Sequence, residues 1–164
     1  MLNKILDDRE KRYNKILDTI SKYDLPVVCG KINYPGSDKN TGESAAAFDI
    51  LIKLVKERFA PYIVFSETIE GFDGLALIAA VNLNAVRTKK MAFEIEDNNA
   101  LGRIFDIDVY DLKGCPICRN SIYKDKRKCI VCGKDARECI RLHRHDVSAA
   151  VNAVDDLIKK YIKF

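Results

Sequence analysis

No apolar stretch in this 164-residue sequence approaches the roughly 18 residues that a membrane-crossing helix requires, so a membrane protein is not expected. The opening segment, Met1-Leu2-Asn3-Lys4-Ile5, lacks an apolar h-region, so no secretory signal and a cytoplasmic location are expected. No internal repeat or low-complexity run appears. Hydrophobic residues make up 48% and charged residues 32%, which excludes a disordered chain, a coiled coil and a collagen-like chain. Net charge is only +4, too little to indicate nucleic-acid binding unaided. What remains is a globular chain of about one domain's length. A chain of this size buries roughly 70% of its unfolded surface and needs no disulfides to stay folded.

The small net charge hides an uneven distribution. From Lys113 to Arg144 ten Lys/Arg face three acids, a net +7, while residues 1–112 carry −3 and 146–164 sum to zero. Five of the six cysteines lie between Cys115 and Cys139, inside the basic stretch. In a reducing compartment these are metal ligands or thiols, not disulfides. The expected organisation is a single domain over 1–164: a body of 1–112 completed by a closing helix at 146–164, with a Cys-rich basic element at 113–145.

Periodicity supplies the elements. A 3–4 spacing of Leu2, Ile5, Leu6, Tyr13, Ile16, Leu17 and Ile20 predicts a helix over 2–22 that Leu25-Pro26 ends. Strands are predicted at 27–33, 62–70, 75–81 and 103–110, and helices at 43–59, 84–97 and 146–162, with Asp146 as N-cap of the last. Gly71-Phe72-Asp73-Gly74 is a hairpin turn. From 26 to 110 the order is β-α-β-β-α-β. The expected fold is therefore α+β, a ferredoxin-like (split βαβ) antiparallel sheet with helices on one face, flanking N- and C-terminal helices and a small Cys-rich insertion. Many unrelated functions use that layout.

Three constellations carry chemistry. In Gly102-Arg103-Ile104-Phe105-Asp106-Ile107-Asp108-Val109, alternation puts Asp106 and Asp108 on one face of a strand. Two adjacent carboxylates repel unless a cation lies between them, and Mg²⁺ is commonly held by one or two carboxylates plus substrate phosphates. Arg103 beside them suits a phosphate-bearing substrate. The plain alternative is a strand with a solvated acidic face. Second, Cys115-x2-Cys118 and Cys129-x2-Cys132, ten residues apart, have zinc-ribbon spacing and make a closed four-thiolate Zn²⁺ site. An overlapping set is Cys129, Cys132, Cys139 and one of His143 or His145; reduced thiols without metal are the bland reading. Cys29, alone in a strand, is a small buried residue. Third, Lys124 to Lys128 with Arg137, Arg141 and Arg144 offer a positive surface to phosphates or an acidic protein, or simply a solvated loop. Only Tyr123 interleaves with them, which disfavours base stacking.

These residues together resemble the apo-citrate lyase phosphoribosyl-dephospho-CoA transferase family (holo-citrate lyase synthase). The resemblance rests on Leu101-Gly102-Arg103-Ile104-Phe105-Asp106-Ile107-Asp108-Val109, Arg119, Arg127-Lys128-Cys129-Ile130-Val131-Cys132, Ala136, Cys139, Arg141 and His145. It extends to Arg9-Glu10-x-Arg12 and to Asn33-Tyr34-Pro35-Gly36-x-x-Lys39. It implies an enzyme of nucleotidyltransferase type. Its donor would be 2′-(5″-triphosphoribosyl)-3′-dephospho-CoA and its acceptor a Ser of the citrate lyase acyl carrier subunit, with diphosphate leaving. By the same resemblance Asp106 and Asp108 hold Mg²⁺ and, with Arg103, carry the catalysis. Lys39, Arg119, Gly36 and Gly102 contact the donor, and either Asp is available as general base. The resemblance reaches Cys129, Cys132, Cys139 and His145 but not Cys115 and Cys118, so it favours the Cys3His set where spacing favours four Cys. Both share Cys129 and Cys132. Neither nucleic acid nor membrane is an expected partner. The competing functions are a non-catalytic zinc-ribbon module that binds nucleic acid or protein, and a structural accessory of a lyase assembly.

Overall fold

A computed structural model describes residues 2–118 and 126–163. Nine elements follow in order: α1 (Leu2–Tyr23), β1 (Val27–Ile32), α2 (Gly42–Phe59), β2 (Ile63–Ile69), β3 (Ala76–Val81), α3 (Ala85–Asn98), β4 (Phe105–Tyr110), α4 (Ala136–Arg141) and α5 (Val147–Ile162). The four strands form one antiparallel sheet in the order β2-β3-β1-β4. The fold is α+β, with helices flanking the sheet. Among the described residues, no helix is long and apolar enough to cross a membrane.

Strand alternation sorts the core into two layers. Val28, Ile32, Leu77, Ala79, Val81, Phe105, Ile107 and Val109 point to the main core, where Phe48, Leu51 and Phe59 of α2, Met91 and Ile95 of α3, and Val154 and Ile158 of α5 meet them. The opposite parity, Val27, Cys29 and Ile78, packs under Ile16 and Ile20 of α1. The two helices of the 26–110 unit, α2 and α3, share one face of the sheet with α5, and the flanking helix α1 buries its amphipathic stripe on the other. Gly30 lets α2 lie close on β1, since a Cβ there would stand 2.8 Å from Leu51 Cδ2.

Local caps fix the helix starts. Thr41 accepts from Ser44 N, Asn84 from Val86 N and Arg87 N, and Asp146 from Ala149 N. α5 is tied to the 34–43 region by Tyr34 Oη donating to Asp155 (2.6 Å) and by Lys159–Glu43 (3.4 Å).

The outer edge of β4 is closed by side chains and by one short segment. Buried Lys89 of α3 donates to Ile107 O (2.7 Å), and Glu96 accepts from Ile107 N (2.9 Å). Arg127 donates to Phe105 O (2.8 Å), and Ile117 N donates to Val109 O (2.8 Å). An edge strand with its ladder groups taken in this way offers no template to another chain.

Candidate active site

β4 puts Asp106, Asp108 and Tyr110 on the α1 side of the sheet, while Phe105, Ile107 and Val109 are fully buried on the other. The register places Lys31 of β1 directly opposite Asp106 and Cys29 opposite Asp108. Directly opposed side chains have Cβ atoms about 4.5–5.5 Å apart, so these four residues form one patch. The Asp106 and Asp108 side chains are 32% and 45% exposed, open enough to take a ligand. Asp106 receives Arg127 Nη2 at 3.3 Å, and Asp108 lies 3.6 Å from Lys89 Nζ. Partial burial, then the charge of Asp106, push the Asp108 carboxyl above its usual range, and Lys89 and Arg127 only partly oppose them. The same patch raises its neighbours. Burial lifts the Cys29 thiol to about 12, with Arg12, Asp108, Lys31 and Asp106 all acting on it. Burial and Asp108 also lift the Tyr110 phenol. Cys29 is thus a small buried residue, as the sequence predicts.

A second cluster adjoins this patch. Asp73 sits in the turn between β2 and β3, and its side chain is 1% exposed. Three cations converge on it: Arg9 Nε at 3.2 Å, Arg12 Nη1 at 2.7 Å and Lys31 Nζ at 2.8 Å. Burial alone would raise this carboxyl, but the bonds from Lys31 and Arg12 outweigh burial and hold it below its usual range. Sequence reasoning missed Asp73, because an Asp between glycines in a hairpin reads as turn chemistry. The one available signal was the pair of arginines three apart on α1, a spacing that points both side chains the same way.

The remaining predicted residues are dispersed around these two clusters. Lys39 donates to Tyr34 O, and burial, then the charge of Lys31, lower its ammonium. It lines a cleft of about 430 Å³ with Arg9, Gly36, Leu2, Ile5 and Val147. Gly36 has φ +81°, a backbone that favours glycine. Arg103 lies half-buried in the 101–104 turn that leads into β4. Gly102 is there for space: a Cβ on it would stand 1.7 Å from Glu96 O. Arg119, with Tyr123, Lys124 and Asp125, lies outside the described residues.

The cysteines divide. Cys129, Cys132, Cys139 and His145 bring one ligand atom each to within 4.8 Å of one another. Cys115 and Cys118 are exposed and stand apart from that group: Tyr110 bridges to Pro116, which holds their segment along the outer edge of β4. The knuckle is built by Gly133 at φ +74° and by Gly133 N donating to Cys129 O (2.8 Å). Asp135 caps α4 through Arg137 N and Glu138 N, which presents Cys139 inward. Burial opposes the Cys129 thiolate, but the amides of Cys132 and Val131 outweigh it and hold that thiol below its usual range. Burial and the neighbouring thiols push Cys139 up to about 11. His145 Nε2 is buried and finds no hydrogen-bond partner among the described residues. Three thiols and an imidazole nitrogen left in this state suit a tetrahedral Zn²⁺. His143, at φ +47°, is not in the group.

The comparisons with known proteins point one way. The family model described as apo-citrate lyase phosphoribosyl-dephospho-CoA transferase matches residues 1–161. A Vibrio cholerae protein named probable apo-citrate lyase phosphoribosyl-dephospho-CoA transferase is 27% identical over 168 residues, covering 98% of this chain and 92% of its own length. A Streptococcus pyogenes protein of the same name is 27% identical over 165 residues, covering 98% of this chain and 86% of its own. A Haemophilus influenzae protein named CitXG is 24% identical over 163 residues, 98% of this chain but 35% of its own length.

Proposed function

Because the chain belongs to the apo-citrate lyase phosphoribosyl-dephospho-CoA transferase family, we propose that it attaches the phosphoribosyl-dephospho-CoA group to a serine of the acyl carrier subunit of citrate lyase. The donor is 2′-(5″-triphosphoribosyl)-3′-dephospho-CoA. The observation that carries this reading is the full-length family match, and the paired carboxylates of β4 beside a knot of cations agree with it. The reaction is of nucleotidyltransferase type. The serine hydroxyl gives up its proton to one of the two aspartates, its oxygen bonds to the α-phosphorus, the bond from that phosphorus to the bridging oxygen breaks, and the electron pair leaves with diphosphate. In the same reading the chain is a single domain, and the order β2-β3-β1-β4 is a split βαβ arrangement of ferredoxin-like kind.

Asp106 and Asp108 would hold Mg²⁺. They fit, because they share a strand face, are open to solvent, and leave Asp108 under-neutralised. When bound, Mg²⁺ neutralises the triphosphate and the leaving diphosphate. The chain's own cations do the rest: Lys39 contacts phosphate from the Pro-Gly loop, and Arg103 and Arg119 are assigned the same role. Gly36 lets the donor approach the loop backbone. Cys129, Cys132, Cys139 and His145 would hold a structural Zn²⁺ that keeps Arg127 on Asp106.

The test is intact-mass analysis. The chain is incubated with the apo acyl carrier subunit, Mg²⁺ and the donor. A mass gain on the carrier serine that disappears in Asp106→Asn and Asp108→Asn supports the transferase. No gain with folded wild-type protein rejects it.

A further inference from the structure

Three cations on one buried carboxylate are more than a structural pin needs. A carboxylate has two oxygens, and Arg12 and Lys31 already meet Oδ2 at 2.7 and 2.8 Å while Arg9 meets Oδ1 at 3.2 Å. Formally, the group keeps two positive charges. Among the neighbouring described acids, Asp8 is occupied by Phe72 N and Lys11, and Glu67 by Lys15, while Asp106 and Asp108 face the cluster from β4 without pairing with it. Lys39 adds a fourth cation. Its ammonium responds to Lys31, Asp73 and Arg9, and its chain packs on the same turn, since a Cβ on Gly74 would stand 3.3 Å from Lys39 Cβ.

The position of Lys31 carries the argument further. It stands directly across from Asp106 in the sheet, where an ammonium would ordinarily neutralise the opposed carboxylate. Instead its Nζ bonds Asp73. Asp73 therefore keeps a cation beside the Asp106–Asp108 pair without letting it occupy that pair. Arg9, half-exposed, stands in both the cluster and the 430 Å³ cleft, and so links the cluster to open solvent.

We propose that Arg9, Arg12 and Lys31, assembled on Asp73, form a polyphosphate subsite that takes the non-transferred phosphates of a triphosphate donor, with Asp73 as the positioning residue that holds Lys31 off Asp106. The identity of the donor rests on the transferase reading; the chemistry of the subsite does not. When the bond between the α-phosphorus and the bridging oxygen breaks, the electron pair passes to the diphosphate, and its added charge develops against these cations.

The experiment is calorimetric titration of the full chain with inorganic tripolyphosphate, without divalent metal and at low salt. Saturable one-to-one binding is expected. Arg9→Glu and Lys31→Gln should each weaken it on the order of tenfold or more, the scale of a lost charge-assisted contact. Arg58→Gln, at a distant exposed pair with Glu94, should leave it unchanged. Asp73→Asn should release Lys31 onto Asp106 and so weaken both tripolyphosphate and Mg²⁺ binding and lower kcat for transfer; adding Lys31→Gln to it should restore Mg²⁺ binding but not tripolyphosphate binding, whereas a purely structural hub would restore neither. Arg9 is half-exposed, so Arg9→Glu remains informative even if Asp73→Asn does not fold. Wild-type affinity in folded Arg9→Glu and Lys31→Gln, or equal loss in Arg58→Gln, overturns the subsite. If tripolyphosphate binds with the expected pattern but the carrier is never labelled, the subsite stands and the transferase reading falls. If the carrier is labelled with an unchanged donor KM in both variants, the reverse holds.

Discussion

Arg127 Nη2 lies 3.3 Å from Asp106 Oδ1 and 3.2 Å from buried Glu96 Oε1, while the carbonyl of Arg127 accepts from Ala136 N at the start of α4 (3.0 Å). One residue thus joins the Cys-rich element, the closed edge of β4 and the candidate catalytic carboxylate. Arg127→Met should lower stability by about 1–3 kcal/mol, the cost of stripping a charged partner from buried acceptors, and cut transfer at least tenfold. Arg127→Lys should recover only part of both, because the shorter lysine side chain replaces the weakly hydrated guanidinium by a compact, strongly hydrated ammonium. Urea unfolding and the carrier-labelling rate check this; an unchanged midpoint and rate in Arg127→Met would contradict it.

The carboxylate pair makes a prediction of opposite sign. The Asp108 carboxyl is raised in the folded chain, so the folded state holds that proton more tightly than the unfolded one. Its stabilising contribution is complete below the ordinary value of 3.8 and is lost as pH rises through the raised folded value. At pH 7 without divalent cations, Asp108→Asn should melt a few degrees higher than wild type, and the difference should vanish in acid. Millimolar Mg²⁺ should raise the melting temperature of wild type only. A lower melting temperature for Asp108→Asn at pH 7 would show that the Lys89 contact outweighs the repulsion.

Period-based reasoning found α1, α2 and α5 because their stripes are long, and it favoured a helix at α3, the element that carries Lys89 and Glu96. It could not say that these two charges close a strand edge, since that depends on Ile107 reaching the same place from a distant segment. The Asp106–Asp108 pair was legible because strand alternation is local. Asp73, Lys31 and Arg12 were not, because their meeting is fixed only by how α1 packs on the sheet. Cysteine spacing favoured Cys115 and Cys118 as ligands; in the structure Cys129 and Cys132 group instead with Cys139 and His145, and the segment of Cys115 and Cys118 bonds along β4.

That separation is measurable. Elemental analysis of the purified chain should give about one zinc per chain. Cys129→Ser, Cys132→Ser and Cys139→Ser should each lose it, and Cys115→Ser and Cys118→Ser should keep it. Chelation should expose Cys132 and Cys139, whose sulfurs lie 3.5 Å apart, to rapid thiol titration, while amides of β1 and β3 stay protected from hydrogen exchange. Zinc lost on Cys115→Ser would restore the four-cysteine site.

Gly102 separates a packing role from a binding role. The family resemblance assigns it to the donor, yet a Cβ on it would stand 1.7 Å from Glu96 O and 2.5 Å from Glu96 C. Backbone cannot yield as a flexible side chain does, so Gly102→Ala must push the end of α3 away from the turn before β4. That turn is held by Gly102 N donating to Asn99 O (2.9 Å) and Phe105 N donating to Gly102 O (3.2 Å), and Glu96 is the group that seals Ile107 N. We expect Gly102→Ala to destabilise the chain by about 1–3 kcal/mol, the range for overpacking a filled interior. Hydrogen exchange should speed up at Ile107. If the glycine serves only the donor, the variant will instead unfold at the wild-type urea concentration and show a raised donor KM.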